Sequence, residues 1–82
     1  MYQAKVYVTF KPSVSDPQGL TVKGGLEMLG FSSIKQVRMG KYMEIILDAV
    51  DQARAQALVT EMCRKLLANP VIEDYRFEIV QI

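Results

Sequence analysis

The chain has 82 residues, ten Lys/Arg against nine Asp/Glu, half of its positions apolar, one cysteine and no histidine. This length sustains a single core, and no segment reaches the ~20 apolar residues of a membrane span. Without histidine the commonest general base and metal ligand are missing, a lone Cys63 excludes an internal disulfide or CxxC site, and neither GxGxxG nor GxxxxGK[ST] occurs.

Residues 1–41 carry six Lys/Arg and two Asp/Glu, whereas residues 42–82 carry four and seven. The overall charge of +1 gives no broad electrostatic reason to bind nucleic acid. No basic-then-apolar leader opens the chain, and together with the single cysteine this predicts a cytoplasmic protein.

Tyr2 to Phe10 alternates, with Ala4, Val6, Val8 and Phe10 on one face and Gln3, Lys5, Tyr7 and Thr9 on the other. A half-buried strand has this period. "KPSVSDPQG" interrupts it, and Asp16 followed by Pro17 predicts a capped helix start. That helix is expected to reach about Leu29, with Val22, Leu26 and Leu29 facing inward and Gly30 stopping it.

Ile34 to Met39 and Tyr42 to Asp48 are predicted to form a hairpin, with Gly40-Lys41 as its two-residue turn. The second strand is apolar on both faces, Tyr42 and Ile46 one way and Met43, Ile45 and Leu47 the other. One side of it needs cover from outside the domain. Asp51 caps a second helix whose Ala55, Leu58, Val59, Met62, Cys63, Leu66 and Leu67 follow helical spacing. Cys63 and Met62 read as core side chains of that stripe, and Glu61–Lys65 as a favourable surface pair. Asn69-Pro70 ends the helix, and Glu73 to Ile82 closes the chain as a strand.

The predicted order is β-α-β-β-α-β within one domain, 1–82. The expected fold class is α+β, ferredoxin-like, a four-stranded antiparallel sheet with two helices on one face. The fold hosts unrelated activities, so function has to come from residues. The [KR]-G-[FY]-[GA]-[FY]-V motif of RNA-recognition domains is absent, and the loop after the first strand holds neither the cysteines of a metal chaperone nor a phosphate cradle. A small-molecule-binding regulatory domain remains as the alternative reading.

Four blocks carry a closer resemblance: "KVYV", "SDPQG", "VRMGKYMEI" and "MCRKLLANPVIEDYRFEI". Together, in order and across the whole chain, they resemble the PurS family, the small subunit of bacterial and archaeal phosphoribosylformylglycinamidine (FGAM) synthase. The resemblance implies membership of a purine-biosynthesis ligase without an active site of its own. It implies a bridge between an ATP-dependent synthetase subunit, which would hold ATP and Mg, and a glutaminase subunit, with a part in ammonia transfer. It implies no catalytic, cofactor or metal residue in this chain, and no nucleic-acid or membrane partner.

The cationic tip of the predicted hairpin is the candidate contact. Arg38 and Lys41, flanking Gly40, present two long cationic side chains to a partner carboxylate or phosphate, with Glu44 orienting one of them. Gln18, beside the capping Asp16, is a further candidate. The doubly apolar strand and the long terminal strand predict a dimer or tetramer.

Overall fold

The computed structural model describes all residues from Met1 to Ile82. Its elements are β1 (Tyr2–Phe10), α1 (Pro17–Met28), β2 (Gly40–Leu47), α2 (Gln52–Met62), a π-helical turn (Cys63–Leu67) and β3 (Glu73–Gln81). β1 is the central strand of a three-stranded sheet ordered β2-β1-β3, and both of its neighbours run antiparallel to it.

The alternation in β1 sets the core. Tyr2, Ala4, Val6 and Val8 are buried on one face, while Ala55 and Val59 of α2, Cys63 of the π-helical turn and Ala68 supply the opposing layer. Met43, Ile45, Leu47, Phe77 and Ile79 flank this layer from the outer strands. Each fully buried valine contributes about 1.5–3 kcal/mol of apolar transfer. Asp51 caps α2 through the Arg54 N–H at 2.8 Å. The last turn then widens, Ala68 N–H reaching Cys63 O at 3.0 Å. The extra residue in that turn brings Ala68 onto the core face and turns Leu66 out, leaving it 83% exposed. The predicted stripe therefore holds through Cys63 and fails at Leu66.

The expected four-stranded sheet is not formed. Ile34 to Met39 lies outside any strand, and the Gly40-Lys41 turn does not exist. Gly40 instead begins β2, which pairs with β1 from Thr9↔Gly40 to Tyr2↔Leu47. A type II′ turn requires positive φ at Gly40, and the only positive φ in the chain is at Gly30. The side-chain alternation of "IKQVRM" is local, whereas a strand exists only where a neighbouring strand accepts its hydrogen bonds. None lies alongside this segment.

The first helix departs from expectation in packing rather than in position. Asp16 caps it through the Gly19 N–H at 3.0 Å, and Pro17 occupies its first turn. Only Gly19 of its residues is buried, however, and Leu20, Val22, Met28 and the following Leu29 are exposed. The molecule is consequently elongated, 51 × 28 × 14 Å with a radius of gyration of 16.2 Å. A compact chain of this length has about 12 Å.

Candidate partner-binding site

Two side chains lock the segment before β2 onto the loop after β1. The Asp16 carboxylate accepts the Gly19 N–H through one oxygen and the Met39 N–H at 2.6 Å through the other. Those two bonds, then the nearby Arg38 charge, hold its carboxyl below the usual carboxylate range. Arg38 is half-buried, and one guanidinium nitrogen donates to Lys11 O at 3.0 Å and Val14 O at 2.9 Å. The cation expected at a projecting tip is thus spent inside the chain as a clamp between two loops. Asp16, read from sequence as a helix cap, is also the acceptor that fixes the approach to β2.

Gly40 follows directly. A Cβ there would press on the Val8 carbonyl oxygen of β1, so glycine is required for close backbone approach rather than for a turn. Lys41, facing the α2 end of the sheet, donates to Leu67 O at 3.3 Å and lies 3.7 Å from the Glu73 carboxylate. Its side chain is more than half exposed, leaving it free to reach a further anion. Gln18 is exposed on the first turn of α1, and with Pro17, Thr21, Val22 and Met39 it lines a shallow hollow of about 340 Å³. Chain continuity from Met39 to Lys41 links this hollow to the β2 end of the sheet.

Glu44 stands apart and orients neither Arg38 nor Lys41. It accepts the Tyr42 hydroxyl at 2.9 Å and is paired across the sheet with Lys5, which has Glu78 on its other side. Partial burial, then the Glu44 carboxylate, pushes the Tyr42 phenol up to about 12. The sheet face away from α2 also carries Tyr7, whose ring centre is 5.0 Å from that of Tyr42. Arg76 lies over the Tyr7 ring at 3.9 Å. A hollow of about 330 Å³ opens beside them, bounded by Thr9, Lys41 and Asp74. Sequence reasoning placed Tyr7 on the polar face of the first strand and joined it to neither Tyr42 nor Arg76. The signal that joins them is register, because Tyr7 is the cross-strand partner of both Tyr42 and Arg76.

No group of three or more His, Cys, Asp or Glu side chains is placed to hold a metal, and no helix is long and apolar enough to cross a membrane. Burial in the α2 stripe pushes the Cys63 thiol up, away from the reactive thiolate form.

Comparison with known proteins is consistent along the whole chain. Residues 3–81 match the family described as PurS, phosphoribosylformylglycinamidine (FGAM) synthase. The phosphoribosylformylglycinamidine synthase subunit PurS of Synechocystis is 49% identical over 81 residues, covering 99% of this chain and 81% of the relative. The crystal structure of Methanocaldococcus jannaschii PurS is similar with a TM-score of 0.90 and 40% identity, covering 100% of this chain and 99% of that one. A chain in the structure of PurLQS from Thermotoga maritima is similar with a TM-score of 0.88 and 28% identity, with 96% of each chain covered. Agreement of sequence blocks, family match and fold over nearly every residue means that the chain belongs to the PurS family of FGAM synthase.

Proposed function

We propose that the chain is the non-catalytic small subunit of a cytoplasmic, glutamine-dependent FGAM synthase, bridging the synthetase and glutaminase subunits and assisting ammonia transfer between them. The observation that carries this is its full-length similarity to a chain found within the PurLQS structure. ATP and Mg belong to the synthetase subunit in this reading, and the chemistry available to the small subunit is contact. Lys41 supplies a directed cation, Gln18 a neutral donor and acceptor, and Glu44 an anion on the open sheet face. Arg38 and Gly40 act by fixing the backbone from which Lys41 projects.

Self-association is part of the proposal. Leu20, Val22, Met28, Leu29 and Phe31 form an exposed apolar set on and just after α1, on an arm that the chain's own sheet leaves uncovered. Exposed large apolar side chains gathered on one arm call for cover, and a second copy related by a two-fold axis offers the simplest one. Size-exclusion chromatography with light scattering at micromolar concentration checks this, with a dimer or tetramer expected and a monomer contradicting it.

The bridging role is tested by immobilising the tagged chain and exposing it to the purified synthetase and glutaminase. Retention of both together is expected. Retention of neither would remove the reading.

A further inference from the structure

The free edge of β2 continues beyond the strand, into the segment that precedes it. In the chain's own sheet, Met1 O accepts the Ile82 N–H and the Lys11 N–H donates to Ile72 O. Odd-numbered residues of β1 therefore bond to β3 and even-numbered ones to β2. That phase commits the backbones of Lys41, Met43, Ile45 and Leu47 to β1. It turns the N–H and C=O groups of Tyr42, Glu44 and Ile46 outward. The segment before β2 keeps the same alternation. Val37 O faces Gly19 and the Met39 N–H reaches Asp16, whereas the Gln36 and Arg38 N–H groups donate to nothing. One unpaired edge thus runs from Gln36 to Ile46, with no positive φ at Gly40 to turn it back.

The two halves of this edge are complementary in charge. Residues 34–41 carry Lys35, Arg38 and Lys41 and no acid, and residues 42–48 carry Glu44 and Asp48 and no base. A two-fold axis crossing the edge near its middle runs two copies antiparallel and lays each basic half along the other's acidic half. An axis at Lys41 sets Arg38 opposite the partner's Glu44 and Val37 opposite the partner's Ile45. The two Lys41 side chains that meet there are each held by Glu73 and Leu67 O of their own copy. Apolar cover follows from the same operation. α2 lies over β1 and β3, and Met43, Ile45 and Leu47 on that face of β2 are only half-buried. Met39 lines a hollow with Val22 on the same face, so the pairing brings the exposed α1 arm toward the partner's Met43. β3 presents the chain's other edge, but it carries Glu73, Asp74, Arg76 and Glu78, as protected edges do, against Glu44 alone from Tyr42 to Leu47.

Building on the self-association described above, we propose that it joins these two edges. The Gln36–Ile46 backbone of one copy pairs antiparallel with that of its partner, making one sheet across the two-fold axis, while each chain's own sheet stays three-stranded. The test is amide hydrogen exchange of the full-length ¹⁵N-labelled chain, with its mass measured by light scattering at the same concentration. The Gln36, Arg38, Tyr42, Glu44 and Ile46 amides should exchange about 100-fold or more slower than unprotected amides, and lose that protection on dilution to the monomer. The outward Tyr75 and Ile79 amides of β3 should exchange fast. Glu44→Pro removes one outward N–H while sparing the ladder to β1, and should give a folded monomer. A monomeric wild type would remove self-association itself and this pairing with it. A dimer whose Tyr42, Glu44 and Ile46 amides exchange freely, or one that survives Glu44→Pro unchanged, would overturn the pairing alone. Protection that appears only when the synthetase is added would assign the edge to another subunit and likewise overturn it.

Discussion

The Asp16 carboxylate accepts the Met39 backbone N–H at 2.6 Å, across 23 positions of sequence. The same side chain caps α1, so the helix start and the entry to β2 depend on one group. Its folded-state titration lies below the ordinary value of 3.8, with the backbone bonds as main cause. A depressed carboxyl contributes stability that is fully present above the unfolded value and is lost as pH falls through the folded one. Wild type should therefore lose stability on acidification from neutral pH to about 3, and Asp16→Ala, already weaker at neutral pH, should lose less. Urea melts at the two pH values check this; equal losses would show that Asp16 is not the group responsible.

Arg38 and Lys41 should separate by measurement, although sequence grouped them as one tip. Arg38→Ala opens the clamp to Lys11 and Val14, and should lower the melting temperature while the isolated β-sheet signal persists. Lys41→Ala removes a pair whose lysine is exposed and whose Glu73 is largely covered, and should change stability by no more than about 1 kcal/mol, yet reduce retention of the partner subunits. Equal stability loss in both variants would contradict the division of roles.

The glycines of α1 give an opposed pair of outcomes. A Cβ at Gly19 would collide with the Val37 carbonyl oxygen, whereas Gly24 and Gly25 face open space within the chain. Gly19→Ala should destabilise by displacing the segment before β2. Gly24→Ala with Gly25→Ala should stabilise the helix by about 1 kcal/mol per site, and should impair self-association if the second copy packs closely against that face. Thermal melts together with light scattering distinguish the two effects.

Cys63 has no exposed surface, and burial raises its thiol. A water-soluble disulfide reagent should react only at the rate of unfolding, and Cys63→Ser should cost about 1–3 kcal/mol by placing a hydroxyl in the apolar stripe. Rapid labelling of the native chain would show the π-turn to be open in solution.

Elements whose evidence is local were legible in the sequence. Asp16-Pro17 and Asp51 mark both helix starts, and the two-residue period of β1 places Ala4, Val6 and Val8 on the buried face. The fourth strand was not, because "IKQVRM" has the alternation of a strand while strand formation depends on a distant partner. The covered face of α1 misled for the same reason: an apolar stripe says that a helix needs a partner, not that its own sheet provides it. At the candidate site, the residue types around 38–41 were visible, but their direction was set by the carbonyls at 11 and 14 and by Asp16. No local pattern reveals those contacts. The Tyr7, Tyr42 and Arg76 grouping likewise requires the register of three strands.

The most direct measurement of the central claim is reconstitution. Purified synthetase and glutaminase are assayed with ATP and the ribonucleotide substrate, with glutamine or free ammonia as nitrogen source, in the presence and absence of this chain. Product from glutamine should require the chain, product from ammonia should not, and the chain alone should consume neither glutamine nor ATP. Full glutamine-dependent turnover without it, or turnover by the isolated chain, would contradict the account.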